Sequence, residues 1–271
     1  MQYNSIFDKI INQYPSIFDE GVVLDDYFGT LETVIDDLSH VISKQKEGIE
    51  NSLNENLILA LHPPRITRVI MNYKIEKPHG EDLKFLLMYS KRLALNLYQN
   101  SKNHYDDLSK FKKMILRHNY DKLLSQEINH TFDKSTWKAT NPEFSKVTAE
   151  KIAKQTNGEN ILFIAFGHGG IPSGMDVFLR YESLAKKEGL FYITRFSVHK
   201  SHDKFPNLEN DEIEYLKKHA NQSTIILYDE DVATGETMKV AYKYFSDIVF
   251  KGKKILPFAN SDFYGMMDYI C

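Results

Sequence analysis

Thiols, membrane-length apolar runs and an excess of positive charge are all missing from this sequence. Its only cysteine is Cys271, so these 271 residues hold no disulfide framework and no thiolate-bound zinc. No apolar run approaches bilayer-spanning length; LILAL at 57–61 and FLLMY at 85–89 are among the longest before residue 150. The opening MQYNSIFDKI lacks the basic-then-apolar order of a secretory signal, and a cytoplasmic protein without a membrane partner is expected. A formal net charge of −3 provides no global cationic field, so nucleic acid is not the expected partner. Residues 1–144 also lack a glycine-rich loop, a metal-spaced histidine pair and a nucleophile elbow. His104, His118 and His130 are scattered and read as surface or hydrogen-bonded side chains.

What is present divides in two. Residues 1–144 read as mostly helical. Leu31, Val34, Ile35, Leu38, Val41 and Ile42 follow the i, i+3, i+4, i+7 rule and predict an amphipathic helix from Thr30 to before Gly48. Leu83, Leu86, Leu87, Leu93 and Leu97 make a second stripe. A third helix is expected near 105–118, with Leu108, Phe111, Ile115 and Leu116 inward. Between them, Leu57–Leu61 reads as a short apolar segment stopped by His62-Pro63-Pro64, with a new helical segment starting on the prolines. Arg65, next to that stop, is read as part of the turn rather than of a site. A polar stretch at 121–145, which holds the sole tryptophan, Trp137, marks the boundary region.

From 145 to 271 the order becomes strand, helix, strand. Ile161–Phe166 is an unbroken apolar run of strand length, ending in Gly167-His168-Gly169-Gly170-Ile171-Pro172-Ser173-Gly174, with a helix expected from about Met175. Phe191–Val198 reads as the next strand and leads into a polar loop bearing Lys200, Ser201 and Lys204. Then Ile225-Ile226-Leu227-Tyr228 runs directly into Asp229, Glu230 and Asp231, and on through Val232 to Ala233-Thr234-Gly235-Glu236-Thr237. Gly235 permits a tight turn whose N–H groups form a nest for an anion. Thr234 and Thr237 add hydroxyls, and the following helix adds partial positive charge. A phosphate suits that turn, and acids one strand-end away suit the hydroxyls of a ribose or a Mg²⁺ ion beside them.

The run DEDVATGET after an apolar strand resembles the phosphoribosyl-pyrophosphate signature of type I phosphoribosyltransferases. The resemblance implies an α/β fold with a Rossmann-like core and a central, mainly parallel sheet at 145–271, beside a mostly helical cap or dimerisation region at 1–144. It further implies transfer of a 5-phosphoribosyl group between phosphoribosyl pyrophosphate (PRPP) and a nitrogenous base, Mg²⁺ carried with the PRPP, and a homodimer. By the same resemblance, Asp229 and Glu230 hold the ribose and Ala233 to Thr237 form the 5′-phosphate loop. Gly167, His168, Gly169 and Gly170 form the pyrophosphate loop, and Arg195, Lys200 and Lys204 are candidates on the mobile loop. Asp231 stands where the family has an aliphatic residue, which leaves open which two acids grip the ribose. Histidine stands at 168 in place of Arg or Lys, and Ala233 replaces the acid of purine-specific members. The tail from Asn260 resembles the hood of hypoxanthine-type phosphoribosyltransferases, which implies that Phe263 or Tyr264 stacks on a base. A regulatory protein of the same fold that binds PRPP or a nucleotide without turnover fits these departures too.

Overall fold

The computed structural model describes residues 3–20, 27–76, 81–99, 104–117, 120–130, 134–167, 169–196, 205, 206, 208–262, 265 and 267. The chain divides into two compact units. One is Asn4–Lys134; the other joins Met1–Tyr3 to Ser135–Cys271.

The first unit is helical. Helix α1 (Ile6–Gln13) starts on a capping box in which Ser5 and Asp8 exchange side-chain-to-backbone bonds, and a short α2 (Ile17–Glu20) follows. Strand β1 (Tyr27–Thr30) leads into α3 (Leu31–Lys46), whose six expected apolar positions are all buried. Next come α4 (Leu53–Glu76), α5 (Glu81–Tyr98), α6 (His104–Arg117), α7 (Asp121–Leu124) and strand β2 (Glu127–His130), antiparallel to β1. In α6, Leu108, Phe111 and Ile115 face inward, but Leu116 is 48% exposed. One residue past Ile115 is a step of about 100° around the helix, off the buried stripe.

Contrary to the expected stop, α4 runs unbroken through Pro63 and Pro64. A proline inside a helix removes the N–H that would bond the carbonyl four residues back. For Pro64 that carbonyl belongs to Ala60, and the Tyr98 hydroxyl of α5 donates to it. The Thr67 hydroxyl donates to the Pro63 carbonyl at 3.4 Å. Both prolines are buried between helices, so packing holds the helix where local propensity would end it.

The second unit is mixed α/β. Helix α8 (Lys134–Ala139) is followed by α9 (Pro142–Thr156), which has Asn141 as N-cap and Pro142 in its first turn. The expected 144/145 boundary therefore falls within α9, which packs on the α/β elements that follow. These are β3 (Ile161–Gly167), α10 (Gly170–Ala185), β4 (Leu190–Arg195), α11 (Asn210–Ala220), β5 (Thr224–Asp231), α12 (Glu236–Tyr244), a π-helical turn at Phe245–Val249, and β6 (Ile255–Ser261).

The four strands are all parallel, in the order β4-β3-β5-β6. All seven residues of β3 are buried, as its unbroken apolar run demands of a strand covered on both faces. Leu162, Ile164, Phe166, Ile225 and Leu227 pack with Leu216 of α11 and Met238 and Ala241 of α12. On the other face, Phe163 meets Phe178 of α10, Phe191 of β4 and Tyr228 of β5. The two strands that leave the sheet in opposite directions, β3 toward β4 and β5 toward β6, are neighbours. Their carboxyl ends form the switch point at which ligands bind in open α/β sheets.

Candidate functional site at the carboxyl edge of the sheet

Both sequence motifs end at that switch point. Strand β3 delivers Gly167, and β5 carries the three acids within its own last residues, Asp229 pairing with Ala259 and Asp231 with Ser261 of β6. The register Ala165↔Tyr228, continued two residues, puts Glu230 level with Gly167. Strand alternation then sends Tyr228 and Glu230 to the face covered by α10, and Asp229 and Asp231 to the face shared with α12.

The turn after β3 is shorter than expected. Helix α10 begins at Gly170, so Ile171, Pro172, Ser173 and Gly174 are helical rather than loop. Pro172 is tolerated because first-turn N–H groups have no intrahelical acceptor. Gly174 is a packing glycine: a Cβ there would lie 3.1 Å from Ala165 Cβ and 3.2 Å from the Tyr228 ring. One turn earlier, a Cβ on Gly170 would lie 3.2 Å from Glu230 Oε2, and on Gly169 it would overlap Glu230 Oε1 at 1.7 Å. The glycine turn and the acidic strand end are therefore in direct contact.

The acids crowd one another. Asp229 Oδ1 accepts the Glu230 backbone N–H at 3.1 Å. Burial, followed by the neighbouring Glu230 carboxylate, pushes the Asp229 carboxyl well above the usual carboxylate range. The residue as a whole is half-buried. One residue earlier on the strand, burial raises the Tyr228 phenol well above its ordinary value.

The second motif forms the expected turn. Gly235 sits at φ 72°, in the left-handed region, and is the N-cap of α12. The Thr234 hydroxyl accepts the Glu236 N–H at 3.4 Å, the Gly235 carbonyl accepts from Lys239 at 2.8 Å, and Val232 N–H donates to Ser261 at 2.9 Å. Ala233, Thr234 and Glu236 are exposed and Thr237 is half-buried. Arg195 ends β4 opposite Gly167, on a strand rather than on the loop beyond it. His168, Lys200, Ser201, Lys204, Phe263 and Tyr264 lie outside the described residues.

Sequence reasoning missed two buried polar groups. Asp176 of α10 is fully buried, bonded by Arg180 Nε at 2.9 Å and by the Tyr3 hydroxyl at 3.1 Å. Its i, i+4 spacing to Arg180 was readable; the partner 173 residues away was not. In the first unit, Arg65 is 7% exposed and lies 4.2 Å from the Tyr27 ring centre. Its Nη1 bonds His62 Nδ1 at 3.0 Å, and His62 Nε2 contacts Asp37 at 3.2 Å. A guanidinium only donates, so Nδ1 accepts and the single imidazole proton resides on Nε2, directed at Asp37. Burial, with Arg65 beside it, lowers the His62 pKa although Asp37 opposes this. Burial likewise brings Arg65 down to about 10.

No family model, no curated protein and no solved structure matches this chain. Among the described residues no helix is long and apolar enough to cross a membrane, and no group of three or more His, Cys, Asp or Glu is arranged to hold a metal ion.

Proposed function

We propose that the second unit is a Rossmann-like core of the type I phosphoribosyltransferase kind. It binds PRPP and transfers the 5-phosphoribosyl group to a nitrogenous base with release of pyrophosphate, or catalyses the reverse. The observation that carries the reading is the meeting of two motifs at one switch point: the Gly167–Gly170 turn touches Glu230, and the turn bearing Thr234, Gly235 and Thr237 follows on the same strand.

In this reading Thr234, Thr237 and the backbone of the Gly235 turn hold the 5′-phosphate, a remote handle that positions C1. Asp229 and Glu230 take the ribose diol. As the C1–oxygen bond to pyrophosphate breaks and a C1–nitrogen bond forms, positive charge develops on the sugar, and the nearby carboxylates stabilise it. Gly167, His168, Gly169 and Gly170 receive the departing diphosphate, with Arg195 at the adjoining strand end and Lys200 and Lys204 beyond it. The crowding that raises Asp229 is relieved by a cation, so the acids suit a Mg²⁺-loaded ligand. When bound, the ion would neutralise charge on the leaving diphosphate.

Pyrophosphate release from PRPP and Mg²⁺, measured with a panel of purine, pyrimidine and pyridine-carboxylate acceptors, tests the reading. Release is expected with at least one acceptor, falling by roughly 100-fold or more in Asp229→Asn, the scale of losing one electrostatic contact to the transition state. Ala233, exposed at the phosphate turn, carries no acid for handling a purine and favours a second reading, a PRPP-binding protein without turnover. PRPP binding with no release for any acceptor would select that reading.

A further inference from the structure

Helix α10 lies against β5 in a fixed step. Gly170 and Gly174 are four residues apart on one helix face, about 6 Å along the axis. Glu230 and Tyr228 are two residues apart on one strand face, about 6.6 Å along the strand. Because the two spacings match, Gly174 seats the Tyr228 ring and Gly170, with Gly169, seats the Glu230 carboxylate. Tyr228 is fully buried, so the backbone position of Glu230, two residues on, is tied to that packing. A side chain on Gly169 would overlap Glu230 Oε1 at 1.7 Å, and on Gly170 would press on Oε2 at 3.2 Å. The glycines leave open the space that a negatively charged group fills. That space lies at the start of a 16-residue helix, where the peptide dipoles favour negative charge.

We propose that Glu230 is a resident anion of the glycine turn, and that it makes this end of the site reject metal-free pyrophosphate. An incoming diphosphate meets a carboxylate where it would otherwise meet glycine backbone, so binding requires Glu230 to withdraw. The inference rests on the PRPP reading of the site and gives Glu230 a role beyond the sugar diol: it sets which anions the turn admits.

The experiment is calorimetric titration of inorganic pyrophosphate, in the presence of a metal chelator, into the whole chain and its Glu230→Gln variant. Removing the like charge is expected to tighten binding by roughly tenfold or more. Glu230→Asp keeps the charge but draws it back by one methylene, and is expected to fall between the two. That variant keeps the test decisive should Glu230→Gln fail to fold. Asp229→Asn, whose side chain alternates to the other face, is expected to gain little. Equal or weaker pyrophosphate binding in both Glu230 variants overturns the proposal, as does tight metal-free binding by the unaltered protein. A parallel titration with ribose 5-phosphate separates this failure from that of the underlying reading. If ribose 5-phosphate still binds while the Glu230 variants gain nothing, only the resident-anion role falls. If neither ligand binds any of the proteins, the PRPP reading falls with it.

Discussion

Gly235 holds a conformation that an L-residue adopts only at a cost, with φ at 72° where β5 turns into α12. Alanine there is expected to destabilise the protein by about 1–2 kcal/mol, the cost of placing a Cβ in the left-handed region. Because the proposed reading gives this turn the 5′-phosphate, Gly235→Ala is also expected to weaken ribose 5-phosphate binding by roughly tenfold. Thermal melts and calorimetry on the purified variant check both, and unchanged affinity would remove the turn from the ligand site. At this scale the sequence was informative wherever a residue type has one dominant use. A glycine between two threonines at a strand end predicts a tight strand-to-helix turn, and Gly235 makes that turn at φ 72°. Side-chain direction was not readable. The run of three acids names no pair, and only the pleat separates Glu230, facing α10, from Asp229 and Asp231. Gly174 reads as part of the turn after β3 but packs inside α10, because a packing glycine and a turn glycine are the same letter.

Among the elements, α4 shows why local rules lose to packing. Two adjacent prolines forecast a break, yet a hydroxyl from α5 satisfies the carbonyl that Pro64 leaves open, and the helix continues through 24 residues. No pattern within residues 53–76 reveals a donor at Tyr98. The stripe on α3, by contrast, was legible because its own spacing dictates which face is buried. The continuity of α4 also puts His62 and Arg65 one turn apart, against Tyr27 of β1 and Asp37 of α3. Protonating His62 would place a proton on Nδ1 facing the Arg65 guanidinium, a like-charge contact in a buried setting. Its folded pKa lies below the ordinary 6.5, so the unfolded chain takes up the proton first. The contribution is fully present above about pH 6.5 and is lost as pH falls from there toward the lowered folded value, at no more than about 1.4 kcal/mol per pH unit. Asp37, also held low, acts with the same sign but only below its ordinary 3.8. Urea denaturation at about pH 5 to 8 should therefore show a steeper loss for the natural protein than for His62→Gln. Parallel curves would mean that the imidazole is not held neutral.

For the whole molecule, the chain contributes to its second unit from both ends of the sequence. Tyr3 bonds to Asp176 and to Ser183 on α10, then Asn4–Lys134 form a separate helical unit before the α/β elements begin at Ser135. The α/β half was legible because buried parallel strands are written as continuous apolar runs, at 161–166 and 225–228, punctuated by motifs. The helical half announced its helices but not its polar centre, whose members, Tyr27, Asp37, His62 and Arg65, are scattered over three elements. In the proposed reading the contributions converge at the switch point: the acids at the end of β5 take the sugar, the Gly235 turn takes its phosphate, and the neighbouring glycine turn takes the diphosphate. The most direct measurement is calorimetric titration of PRPP with Mg²⁺ into the whole chain, Asp229→Asn and Gly235→Ala. Saturable one-to-one binding that weakens by about tenfold or more in each variant is the predicted result. Absence of binding, or binding that neither substitution alters, would contradict it.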